Sequence, residues 1–171
     1  MTWCLRKLRF LFGVLEIKGR LPVQTELDKR GIDLQSVRCL LCDGDVESVT
    51  HSLLTCVKVY YVWQKVLNWW GFNGITYTNL EELLQGNTPH IATDSGQGIW
   101  QSMIWTSGYL IWKNRNQAVF KNKSWSPPVA LSEIQSKSYE WIGKRIKGKH
   151  IDWHNWFHNP SDTSAYKIVK D

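Results

Sequence analysis

The sequence predicts a mostly α-helical fold: a small helical domain stapled at a cysteine-rich turn with a short hairpin knuckle, then a helical C-terminal segment. Three observations predict it. Apolar residues recur at three- and four-residue steps through most of the chain. Gly and Pro punctuate these runs at intervals that suit short helices. Three of the four cysteines lie with a histidine in one stretch, Arg38 to Cys56, RCLLCDGDVESVTHSLLTC.

Taken in order, residues 3–18 read as a first amphipathic helix, with Leu5, Leu8, Leu11, Phe12 and Leu15 on one face. Gly19 to Pro22 is a turn into a short helix, Val23 to Arg30, which Gly31 ends. From Thr50 to Trp70 the pattern is helical again, and Gly71 stops it. Thr78 with Glu81 has capping-box spacing and opens a short helix that ends at Gly86. Residues 86–98 are polar and rich in Gly, Ser and Thr, so a linker is expected there. A long helix should follow from Ile99 to Phe120, and another from Val129 to Lys147. The tail, 150–171, reads as irregular: Asn155, Asn159 and Pro160 disfavour a helix. His150, His154 and His158 could otherwise form a metal-binding stripe. The expected organisation is a domain over 1–85 (core 10–72), a linker, a basic helical segment over 99–149 and the tail.

The cysteine stretch carries the chemistry. Its spacing is Cys39-x2-Cys42-x8-His51-x4-Cys56. Two thiolates from one tight turn, plus a histidine and a cysteine on a following helix, make a tetrahedral set of three sulfurs and one nitrogen. That is the donor set of structural zinc sites, so one structural Zn2+ is expected on Cys39, Cys42, His51 and Cys56. Asp43-Gly44 suits the turn of a short hairpin. One tension is visible. Residues five apart on an ideal α-helix lie about 140° apart around the axis. His51 and Cys56 can therefore share an ion only at a frayed first turn or a local distortion. A redox role for Cys39-Leu-Leu-Cys42 lacks the usual βαβ setting. A catalytic zinc would need an open position, and four ligands close the shell. Cys4 reads as a small core residue rather than a ligand.

Charge is unevenly placed. The net +6 is carried chiefly by residues 113–149, with nine basic and two acidic groups, and by residues 1–30, while residues 31–112 are net acidic. Three thiolates on one Zn2+ leave a net −1 beside Asp43, Asp45 and Glu47, so the zinc loop itself is a poor phosphate ligand. Basic flanks suit a polyanion. The expected nucleic-acid contacts are Lys113, Arg115, Lys121, Lys123, Trp125, Lys144, Arg145, Lys147 and Lys149, with Trp112 and Trp141 between them. No apolar run reaches eighteen residues, so no membrane partner is expected. The basic, apolar N-terminus leaves a mitochondrial presequence as an alternative to nucleus or cytoplasm.

The stretch GRLPVQTELDKRGI, followed by RCLLCDGDVESVTHSLLTCVKVYYVW, resembles the zinc-binding domain of plant LINE-type (non-LTR) retrotransposon reverse transcriptases. The resemblance rests on Phe12, Arg20, Leu21, Pro22, Leu27, Arg30, Gly31, Cys39, Cys42, Glu47, Ser48, His51, Leu53, Cys56, Val62 and Trp63. A later stretch, GYLIWKNRNQAVF, resembles a motif that often follows, on Ile111, Trp112, Arg115, Asn116 and Phe120. Two positions depart: Val14 stands where the family has Trp, and Val23 where it has a Thr able to cap the next helix. Thr25 is a partial substitute. The resemblance implies a module that holds template RNA or target DNA for a polymerase domain, read as the C-terminal part of a larger polyprotein, and the expected partner is RNA or single-stranded DNA. Polymerase, endonuclease and RNase H motifs are absent from the sequence, so no enzymatic activity is expected. A structural or protein-interaction zinc domain, or an inactive remnant, is the alternative.

Overall fold

The computed structural model describes residues 21–85, 94–143, 149–162 and 167–168. The helix expected over 3–18, with Cys4, Phe12 and Val14, lies outside them, as does Arg20. So do His90, Lys144, Arg145 and Lys147.

The described residues are mostly helical. The order is α1 (Gln24–Asp28), a π-turn (His51–Thr55), α2 (Val57–Trp69), α3 (Leu80–Gln85), α4 (Asp94–Lys121), α5 (Pro127–Gly143), β1 (Lys149–His150), α6 (Trp153–His158) and β2 (Lys167–Ile168). The two-residue strands β1 and β2 pair antiparallel.

Several boundaries differ from the sequence reading. α4 begins at Asp94, so the last residues of the expected linker are helical. α5 begins at Pro127, where a proline costs nothing because the first-turn N–H has no helical partner. The cap of α3 is Asn79, not Thr78: its side-chain oxygen accepts the Glu82 N–H at 2.7 Å. The tail is also not wholly irregular. Asp152 caps α6 by accepting the Asn155 N–H at 3.1 Å, and Trp156 gives that helix a buried anchor. Cap and anchor outweigh the weak propensity of the asparagines. His154 and His158 lie on one side of α6, with ring centroids 4.2 Å apart.

Where turns need a left-handed residue, the chain supplies glycine. Gly31 (φ 76) and Gly71 (φ 81) end α1 and α2. The next N–H then reaches back to a late carbonyl, Ile32 to Leu27 at 3.2 Å and Phe72 to Leu67 at 2.9 Å.

The helices on both sides of residues 86–93 share one hydrophobic core. α2 supplies Val59, Val62, Trp63, Val66 and Leu67, α3 supplies Leu83, α4 supplies Trp100, Met103 and Ile104, and α5 supplies Ile134 and Ile142. The middle of α4 is buried at successive positions, so it is covered on more than one side. Its hydroxyls are satisfied within the helix: Thr106 donates to the Ser102 carbonyl at 2.7 Å and Ser107 to Met103 at 2.9 Å. At one end of the core, tryptophans meet edge to face. Trp156 lies 5.4 Å from Trp69 and 5.8 Å from Trp70, and Trp70 lies 5.1 Å from Trp100. Two indole N–H groups lock this end. Trp69 donates to the Phe157 carbonyl at 2.8 Å and Trp156 to the Gln135 carbonyl at 3.0 Å.

Candidate metal centre

The ligand loop is built from its backbone outward. Arg38 and Val46 form an isolated antiparallel bridge. Inside it, the Cys39 N–H donates to the Asp45 carbonyl and the Asp43 N–H to the Cys39 carbonyl, both at 2.8 Å. Asp43 sits at φ 54, a left-handed position that Asp tolerates. This tight turn places Cys39 and Cys42 on one side.

The other two ligands come from the irregular start of the next helix. Ser48 Oγ accepts the His51 N–H at 3.0 Å and caps the turn. His51–Thr55 is a π-turn, and the Cys56 N–H closes on the His51 carbonyl at 2.8 Å. That i→i+5 bond resolves the spacing problem of an ideal α-helix. Cys56 then takes an extended conformation (ψ 130), breaking the expected Thr50–Trp70 helix, and α2 starts at Val57. Trp63 pins the distortion: its indole N–H donates to the Leu53 carbonyl at 2.8 Å.

The ligand atoms of Cys39, Cys42, His51 and Cys56 all lie within 4.8 Å of one another. Cys39 Sγ and Cys56 Sγ are 3.9 Å apart, and Cys42 Sγ is 3.3 Å from His51 Nε2. Tetrahedral zinc with Zn–S near 2.3 Å puts two sulfurs about 3.8 Å apart and a sulfur and nitrogen about 3.6 Å apart. The four donors therefore form a compact site that fits one zinc ion, with no position left open. Cys39 and Cys56 are fully buried. The hydrogen bond to Cys56, helped by burial, pushes the Cys39 thiol well above its ordinary range, while accepting that bond lowers Cys56. A proton shared between two buried sulfurs is what a dication displaces, because cysteine ligates as thiolate. His51 turns Nε2 to the sulfurs and Nδ1 toward Asp45, whose Oδ2 is 4.0 Å away. At that distance the two groups interact through charge, not through a hydrogen bond.

The loop is also tied to the rest of the chain by Glu47, which is fully buried. Its carboxylate accepts from Arg115 Nε at 2.9 Å and from a second guanidinium N–H of Arg115. It also accepts the Gln24 N–H at 3.1 Å. The Glu47 carbonyl accepts from Thr25 Oγ1 at 3.0 Å. Val23 makes no side-chain cap on α1, so Glu47 takes over the role that a Thr at position 23 would have. The sequence shows no hint of this, because the cap comes from a distant loop.

The expected nucleic-acid contacts fare unevenly. Arg115 is corrected: it is fully buried and spent on Glu47 and Asn116, so it cannot reach a phosphate. Lys113 is held by Glu133 at 2.6 Å. Trp112 and Trp125 are half-buried against the core, and Trp141 is half-buried beside Tyr109 at 5.9 Å. Lys121 and Lys123 are exposed. Lys149 lies in β1.

Residues 1–63 match the model of a family described as zinc-binding in reverse transcriptase. The match contains all four ligands and supports a reverse transcriptase zinc-binding domain in this part of the chain. No curated protein and no solved structure matches.

Proposed function

We propose that the chain is a non-catalytic zinc module that binds RNA or single-stranded DNA, derived from the C-terminal part of a LINE-type (non-LTR) retrotransposon reverse transcriptase of plant kind. The observation that carries this reading is a complete Cys3His donor set inside the segment matched to a reverse transcriptase zinc family. The net charge of +6 supports a polyanionic partner. Four protein ligands leave zinc no open position for substrate, which favours a staple over a catalytic centre. In this reading the metal holds the shape and side chains elsewhere make the contacts, for a polymerase domain of the parent polyprotein.

The test is binding of a labelled single-stranded RNA to the zinc-loaded chain across a salt series. Sequence-tolerant binding that weakens steeply with salt is expected. No affinity even at low salt would sink the reading.

A further inference from the structure

The solvent face of α2 is unusual for a helix in a chain this basic. Val59, Val62, Trp63, Val66 and Leu67 are buried. The opposite face carries Val57, Tyr60, Tyr61, Lys65 and Asn68, all exposed, at three- and four-residue steps. A solvated face ordinarily mixes charges of both signs. α2 contains no acidic residue; its charges are Lys58 and Lys65. Val57 is 67% exposed, Tyr60 42% and Tyr61 46%. Lys65 Nζ lies 5.3 Å from the centre of the Tyr61 ring.

We infer that this face, anchored at its start by the ligand Cys56, is where single-stranded nucleic acid docks. The inference rests on the nucleic-acid reading above and moves its contacts. Exposed aromatic rings next to lysines, with no carboxylate on the helix, match the two parts of a single strand. Bases stack on the tyrosines, and Lys58 and Lys65 neutralise phosphates. The charge of the face selects a polyanion, and the rings select unpaired bases over a duplex. Among the described residues after 112, Arg115 and Lys113 are already paired and the tryptophans are half-buried, which leaves Phe120 with Lys121 and Lys123 as a smaller exposed group. The zinc loop gains a purpose in this arrangement: the break at Cys56 sets the start and direction of α2.

The test uses the zinc-loaded full chain, a labelled 12-residue oligouridylate and fluorescence anisotropy. Tyr60→Leu/Tyr61→Leu is expected to weaken binding about tenfold or more, while Tyr60→Phe/Tyr61→Phe stays near wild type, because stacking needs a ring. Lys65→Gln is expected to reduce the salt slope by about 0.7, the share of one phosphate on a single strand. Zinc content and melting temperature should match wild type in all three, since these side chains are exposed. If wild type binds and the leucine pair binds equally well, this surface is overturned while the nucleic-acid function stands. If leucine and phenylalanine pairs are equally weakened, the hydroxyls rather than the rings make the contact, and the stacking proposal fails. If wild type does not bind, the function and this surface fall together.

Discussion

Arg115 Nε donates to Glu47 Oε1 at 2.9 Å, and neither side chain meets solvent. The two residues stand 68 positions apart. One carboxylate thus joins α1, the ligand loop and α4, and the zinc-binding segment is fixed to a helix outside the part matched to the zinc family. Breaking a buried pair from one side leaves an uncompensated charge, which costs about 3–5 kcal/mol. Arg115→Met should therefore lower the unfolding free energy of the zinc-loaded chain by about that much in a denaturant titration. Glu47→Leu combined with Arg115→Met should recover part of the loss. Full recovery is not expected, because the Gln24 N–H would still lack its acceptor. A wild-type unfolding curve for Arg115→Met would show that the pair contributes nothing.

Asp45 Oδ2 lies 4.0 Å from His51 Nδ1, beyond hydrogen-bond reach. Removing a hydrogen-bonded outer partner typically weakens metal binding about 10–100-fold, and a longer contact is worth less. Asp45 is also largely exposed, so water can stand in and the effect stays at or below the lower end. Asp45→Ala should reduce zinc affinity a few-fold, and by no more than about tenfold, in a chelator competition while the circular dichroism spectrum stays unchanged. Equal affinities would mean the histidine is held by the π-turn alone.

Trp156 anchors the last described helix among Trp69, Trp70 and Gln135. Replacing a buried tryptophan with alanine costs about 3–5 kcal/mol. Trp156→Ala should lower the melting temperature markedly, whereas His158→Ala, an exposed change two residues away, should leave it close to wild type. Equal melting temperatures for Trp156→Ala and wild type would mean the tail is not part of the fold.

Glu133 gives a pH-dependent prediction. Burial works against its charged form, but hydrogen bonds from Lys113 and Asn114 and the charge of Lys113 outweigh it and hold the carboxyl below its ordinary value. A carboxyl depressed in the folded state stabilises the fold above its unfolded pKa and ceases to as pH falls through the folded value. Because the pair is partly exposed, Glu133→Gln should cost no more than about 1 kcal/mol near neutrality. The gap between variant and wild type should close below about pH 4. A gap that persists or widens in acid would contradict the assignment.

The ligands were legible because metal geometry is written into spacing: a two-residue gap, then a histidine and a cysteine near a helix start. The distortion joining His51 to Cys56 was legible only as a requirement. Its form, a π-turn closed by the Cys56 N–H and pinned by Trp63, depends on contacts ten residues along. Arg115 was misread for a physical reason. In a basic segment an arginine looks solvated, and its partner lies in a loop whose acidity seemed to belong to the metal turn. Trp156 was missed because local propensity around it is poor, and its stability comes from rings on α2. The tyrosine face of α2 is not legible from charge, because most of the basic excess lies on later residues.

The most direct measurement is metal content with unfolding, carried out with and without a chelator on wild type and Cys56→Ser. The structure predicts one zinc per chain in wild type, a cooperative melt that chelation abolishes or shifts far down, and neither bound zinc nor that melt in Cys56→Ser. A chain that holds no zinc, or that melts identically with and without chelator, would contradict the zinc staple on which everything else is built.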